Sequence, residues 1–171
     1  MTGTEKAAYN EEYEGKPELV AYIEDGITID DCLSFCFYHG GSNYTYPVRV
    51  KQQPALLSAG MGVEITEERL FEIAKRVKNL ERAYDVRLGR TRDIDLLPKR
   101  WMDHPIERGD FKGSVLETSK FEQMKSKYYA LRGWDIDTGI PTRETLEKAS
   151  LGDVADNLEQ RGILPRKPYS S

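Results

Sequence analysis

Residues 66–89 read Thr66-Glu67-Glu68-Arg69-Leu70-Phe71-Glu72-Ile73-Ala74-Lys75-Arg76-Val77-Lys78-Asn79-Leu80-Glu81-Arg82-Ala83-Tyr84-Asp85-Val86-Arg87-Leu88-Gly89. Leu70, Ile73, Ala74, Val77, Leu80, Tyr84 and Leu88 hold a helical period for about six turns, so one face of a long helix is expected to be buried. Thr66 suits the N-cap, Glu67 and Glu68 suit the positive end, and Gly89 supplies the stop. Arg69, Lys75, Arg76 and Arg82 fall on the other side and read as a solvated face.

Helical patterns continue on both sides of this stretch. Downstream, Ser119-Lys120-Phe121-Glu122 has capping-box form, and Phe121, Met124, Tyr128 and Leu131 follow at helical spacing up to Gly133. Trp134 is expected to pack on that helix, with its N–H needing a partner. Thr142 opens a short helix containing Leu146, and Asp153 to Arg161 makes the last, ended by Gly162 and Pro165. Upstream, Gly15-Lys16-Pro17 turns into a short helix that Gly26 ends, and Pro54 to Ala59 makes a brief helix closed by Gly60 and Gly62. Tyr44 to Val50 alternates like a strand but contains Pro47, so it reads as an extended loop.

Two connections are irregular. Arg87, Arg90 and Arg92 lie beside Asp93 and Asp95, either as an ion-pair cluster or as a basic surface for a cofactor phosphate. Trp101 to Val115 is a long arm of the kind that wraps something larger. The expected fold class is all-α, an irregular multihelical bundle with long connecting arms. Its expected division is a flexible acidic leader over 1–14, a helical domain over 15–165 and a loose tail over 166–171.

Composition sets outer limits. A chain of 171 residues is long enough for one domain with a real core. Hydrophobic residues make up 39% and charged residues 32%, a soluble profile but lean for an isolated globule. From Met1 to Asp31 there are nine acids against two lysines, and neither half carries the basic stripe of a nucleic-acid binder. No apolar run approaches a membrane span and residues 1–10 lack a signal-peptide layout, so a cytoplasmic location is expected. Two cysteines this close argue for thiol or metal use rather than a secreted disulfide scaffold.

Chemistry concentrates in Asp30-Asp31-Cys32-Leu33-Ser34-Phe35-Cys36-Phe37-Tyr38-His39-Gly40-Gly41. On a helix Cys32, Cys36 and His39 would share a face and offer three ligands to a metal, one short of a closed zinc site. From spacing alone the thiols read as small core residues in an apolar turn. Asp30 or Asp31 could cap the segment that carries Cys36. His39 could relay a proton or sit on the surface.

This stretch resembles the D-x-x-G-L-C segment in the C-terminal part of the tungsten-containing aldehyde ferredoxin oxidoreductase family. Asp31 falls on the Asp and Cys36 on the Cys, while Ser34 stands where the family usually has Gly and Phe35 where it has Leu. Further on, Asn79-Leu80-Glu81-Arg82, Arg87-Leu88-Gly89, Asp95-Leu96-Leu97-Pro98-Lys99-Arg100 and Pro105 resemble its N-L-E-R, R-x-G, D-x-L-P-x-R and P positions in order. Tyr128-Tyr129-Ala130-Leu131-Arg132-Gly133-Trp134-Asp135 and Gly139-Ile140-Pro141-Thr142 resemble its Y-Y-x-x-R-G-W-D and G-x-P-T signatures. The likeness runs from about Gly15 to about Leu164.

The resemblance implies oxidation of an aldehyde to a carboxylic acid, with electrons passing from a tungstopterin to a [4Fe-4S] cluster and on to ferredoxin. It implies that Asp31 hydrogen-bonds the pterin and that Cys36 ligates the cluster; Cys32 takes no role and no catalytic residue is assigned. A [4Fe-4S] cluster takes about four ligands, usually Cys, and the family's β domain and three-cysteine segment have no counterpart in this sequence. The chain is therefore expected to be a C-terminal fragment or subunit, inactive and binding neither cofactor alone, completed by the rest of the oxidoreductase or a companion subunit. Alternatives are a part of a benzoyl-CoA reductase-like tungsten enzyme of the same family and a non-catalytic helical interaction module.

Overall fold

A computed structural model describes residues 12–36 and 52–164. Over these residues the chain forms seven helices: α1 (Lys16–Cys32), α2 (Gln53–Met61), α3 (Glu67–Arg87), α4 (Arg100–Asp103), α5 (Thr118–Arg132), α6 (Arg143–Lys148) and α7 (Gly152–Gln160). Their only β element is a single bridge between Trp134 and Pro141. The all-α expectation is met. His39, the Tyr44–Val50 loop, Pro165, the 166–171 tail and most of the 1–14 leader lie outside the described residues. Tyr13, at the end of that leader, accepts a hydrogen bond from the Glu117 N–H at 2.9 Å.

The first helix differs from the sequence reading. Gly15 takes the left-handed conformation at its start and Pro17 sits in its first turn, but Gly26 does not end it. The helix runs on to Cys32, so Asp30 and Asp31 close α1 instead of capping a following segment. A mid-helix glycine costs about 1 kcal/mol against alanine. Here Gly26 is buried, and tertiary contacts of α1 with α3 and α5 outweigh that cost.

Helix α3 begins as expected, with Thr66 Oγ1 accepting from the Arg69 N–H at 3.2 Å. Its burial departs from the single apolar stripe. Leu70 and Ala74 are buried beside Ile29 of α1, with Leu33, Leu57, Ile65 and Phe71 packed around them. Beyond Ala74 the buried positions become Asn79, Arg82, Ala83 and Val86, while Leu80, Tyr84 and Leu88 stay exposed, Leu88 by 72%. At about 100° per residue the second set lies roughly half a turn around the helix from the first. The straight rod therefore uses opposite sides at its two ends. Its second end packs Ala83 into a core formed with Leu146, Leu151, Ala155, Leu158 and Leu164 from α6, the joint before α7, α7 and the segment after it.

Helix α5 is also turned from its apolar stripe. It buries Lys125, Tyr129 and Arg132 and exposes Leu131. Ser119 lies inside this helix; the N-cap is Glu117, without a side-chain cap, so no capping box forms. Gly133 ends α5 in the left-handed conformation, where a Cβ would collide with the Thr145 side chain. Thr142 caps α6, accepting from the Thr145 N–H at 3.2 Å, and Arg143 ties α6 to α7 through Asp156 and Glu159.

Candidate functional site

Asp31 and Cys36 both stand open to the surface at the C-terminal end of α1. The turn between them follows from helix-end chemistry. The Ser34 N–H donates to the Asp31 carbonyl at 3.1 Å and the Phe35 N–H donates to the Asp30 carbonyl at 2.9 Å. That is the double bond pattern of a Schellman cap, which places the residue after the C-cap in the left-handed region. Ser34 occupies that position with φ 58°, a conformation that glycine takes freely and serine does not. The position of the Gly in D-x-x-G-L-C is left-handed in this chain, with serine on it.

The reading of the thiols as small core residues is overturned, since Cys32 and Cys36 are both exposed. The shared helical face fails too, because the helix stops at Cys32. Among the described residues no three His, Cys, Asp or Glu side chains gather where a metal ion could be held.

The ordered motifs downstream meet in space. Trp134 donates its indole N–H to Asn79 Oδ1 at 2.8 Å. Arg82 donates through Nε to the Gly139 carbonyl at 2.8 Å and pairs with Asp95, 2.6 Å from Nη2 to Oδ2. Tyr129 donates its hydroxyl to the same carboxylate at 2.5 Å, and Arg90 adds a further contact at 2.7 Å. The Arg82 guanidinium also lies 4.9 Å from the Trp134 ring centroid and 5.6 Å from that of Tyr129. Burial alone would raise the Asp95 pKa; hydrogen bonds from Arg82, Tyr129 and Arg90 outweigh it and hold the group at about 2. Burial, reinforced by Asp95, pushes the Tyr129 hydroxyl up.

A second buried cluster joins α5 to α1. Arg132 donates to Asp25 Oδ1 at 2.5 Å, to Glu24 Oε2 at 2.8 Å and to the Ala21 carbonyl at 3.1 Å. Tyr128 donates to Glu24 at 2.6 Å. Burial pushes the Asp25 carboxyl up further than Arg132 brings it down. Arg92, expected in the acid–base loop, instead reaches α5, pairing with Glu122 and donating to the Ile136 carbonyl. The ion-pair reading of that loop holds for Arg90, which joins Asp85 and Asp95.

Between α1, α3 and α5 lies a cleft of about 460 Å³, lined by Pro17, Val20, Leu96, Phe121 and Met124 and by the Arg82–Asp95 pair. Its cations are engaged: Lys78 with Glu81, Lys125 with Glu122 and two backbone carbonyls, and Arg82 and Arg90 with Asp95. Sequence reasoning put Arg82 in solvent. Its motif membership, rather than hydropathy, was the signal that pointed to it.

Large apolar side chains remain on the outside. Leu80 and Tyr84 on α3 and Leu88 at its C-cap are followed by Ile94 and Leu96 in the next loop and by Trp101 and Ile106 along the arm, all exposed, Trp101 by 63%. The arm folds back on itself through hydrogen bonds from Ile106 N–H to Ser114 and from Gly113 N–H to Ile106. No described helix is long and apolar enough to cross a membrane.

The chain is similar to known proteins. The chain is 30% identical over 140 residues to a tungsten-containing aldehyde ferredoxin oxidoreductase of Pyrococcus furiosus, covering 81% of this chain and 22% of that protein. A protein of the same description from Thermococcus kodakarensis is 27% identical over 139 residues, with the same coverage. The chain thus spans about a fifth of the length of these relatives. The active site complex BamBC of benzoyl coenzyme A reductase, solved with 1,5 dienoyl-CoA, superposes with a TM-score of 0.77 at 29% identity, over 98% of this chain and 24% of that one. Residues 1–151 match the family model described as aldehyde ferredoxin oxidoreductase, domains 2 & 3, and the chain belongs to that family.

Proposed function

We propose that this chain supplies one side of a tungstopterin and [4Fe-4S] site in an aldehyde-oxidising enzyme, the remaining walls coming from other parts of the same enzyme or from a companion subunit. The observation that carries the reading is the end of α1, where Asp31 and Cys36 flank a left-handed turn and both reach solvent. A carboxylate suits paired N–H donors such as pterin amino groups, and a thiolate suits cluster iron. The donor types fit the groups, and their number fits a contribution rather than a closed site. When bound, the tungsten centre and cluster supply two-electron oxidation and onward electron transfer, with ferredoxin as the proposed acceptor. The chain's own residues hold and orient: Asp31 accepts, Cys36 ligates, and the Arg82 and Arg132 clusters fix α1, α3 and α5 beneath them. The exposed apolar side chains between Leu80 and Ile106 belong to the surface that the rest of the enzyme covers, because exposed apolar patches mark interaction sites.

The superposition on BamBC supports a second reading, in which the partner is a benzoyl-CoA reductase-like assembly and the substrate a thioester. Purification of the chain alone and from its native source, with iron, sulfide and tungsten analysis of both, tests the proposal. The expected result is a colourless chain alone and iron in the native assembly, lost in Cys36→Ser. Stoichiometric iron in the chain alone, or an unchanged cluster in the Cys36→Ser assembly, overturns it. A native preparation without metal favours the non-catalytic module. Turnover of aldehydes against aromatic thioesters separates the two enzyme readings.

A further inference from the structure

Two adjacent acids end α1 with opposite environments. Asp31 is exposed, whereas Asp30 is 1% exposed. Asp30 is held from outside its own helix: Gln53 Nε2, from the first turn of α2, donates to Asp30 Oδ1 at 2.5 Å. Gln53 is itself fully enclosed, at 0% exposure, and its Oε1 has no partner among the described residues. A buried amide with one atom unsatisfied costs stability. The bond to Asp30 is the contact that the described residues give this buried amide.

The bond has a direct line to the exposed thiol. The carbonyl of Asp30 accepts the Phe35 N–H that closes the Schellman turn, and Cys36 is the next residue. One residue is therefore gripped by α2 through its side chain and grips the Cys36 turn through its backbone. Adjacent residues project about 100° apart around a helix, so fixing Asp30 inward also fixes Asp31 outward. The turn needs such support, because Ser34 sits in the left-handed region without glycine's freedom.

We infer that Gln53 and Asp30 form a latch that positions the Asp31 and Cys36 side chains, making Gln53 a positioning residue for the proposed cofactor site. The inference rests on the reading of Asp31 and Cys36 given above, but its test needs no cofactor. In the full chain, amide hydrogen exchange at Phe35 and the relative rates of Cys36 and Cys32 alkylation by iodoacetamide report on the turn. Gln53→Met is expected to speed Phe35 exchange at least tenfold and to change the Cys36 to Cys32 alkylation ratio severalfold, with Trp134 exchange within twofold of the parent. Should Gln53→Met unfold, Gln53→Asn, one methylene too short for the bond, gives the same reading. Equal acceleration at Phe35 and Trp134, or no acceleration at Phe35, overturns the latch. Loss of the latch with the cluster still dependent on Cys36 leaves the function standing, and the converse result leaves the latch standing.

Discussion

Trp134 and Asn79, 55 positions apart, share a buried hydrogen bond that fastens the turn after α5 to the middle of α3. Asn79 also donates to the Lys75 carbonyl at 2.9 Å, so its amide is used on both sides. Replacement by alanine strands the indole N–H in a dry site, at about 1–3 kcal/mol by the usual cost of an unpaired buried donor. Asn79→Ala is expected to lower the urea midpoint accordingly and to red-shift tryptophan fluorescence. An unchanged midpoint would show that the indole finds another acceptor.

Asp95 carries a pH dependence of definite sign. Its folded pKa of about 2 lies below the reference 3.8, so the folded state binds its proton less readily than the unfolded chain. The stabilisation is complete above pH 4 to 5 and is lost as pH falls through about 2. A shift of this size corresponds to about 2 kcal/mol. Asp95→Asn is expected to flatten the acid limb of stability between about pH 4 and pH 2 by that amount, measured by urea unfolding across the range.

Gly139 sits under the same cluster with φ 71°, and a Cβ there would meet Arg82 and lie 3.0 Å from the Tyr129 ring. Gly139→Ala combines backbone strain with overpacking, each worth about 1–3 kcal/mol. The expected loss exceeds that of Gly162→Ala, where φ is also 71° but nothing lies within 4 Å of the added carbon. Thermal midpoints of the two variants separate the packing part from the strain.

Ser34→Gly tests the cap from the opposite direction. Relief of a left-handed serine is worth about 1–2 kcal/mol, and the added freedom of glycine in the unfolded chain returns about 0.5–1 kcal/mol of it. A net gain of about 0.5–1 kcal/mol is expected, again by denaturant midpoint. A loss would mean that the serine side chain contributes a contact of its own.

Local signals gave the helices with clear ends. Thr66, Thr142 and Gly133 do what their chemistry suggests, and Trp134 packs on α5 with its N–H satisfied. The faces were harder to read. Arg82, Lys125 and Arg132 are buried because acids and carbonyls distant in sequence meet them, and hydropathy scores each cation as a surface residue without seeing those partners. For the same reason Leu80, Tyr84, Leu88 and Leu131 looked like core and lie outside. Gly26 looked like a terminator because its tertiary surroundings are written elsewhere in the chain. At the proposed site the motif itself was legible, with Asp31 and Cys36 named from it, whereas Gln53 lies 17 residues beyond Cys36 in no quoted motif.

Helix α3 has a mechanical consequence. Its near end belongs to the cluster around Ile29 and its far end to the cluster around Leu146, on opposite sides of one unbroken rod. Melting either cluster unravels part of the scaffold of the other, so calorimetry should record one cooperative transition with matching calorimetric and van't Hoff enthalpies. The corner that carries Cys36 then inherits the stability of residues across the molecule that never approach it.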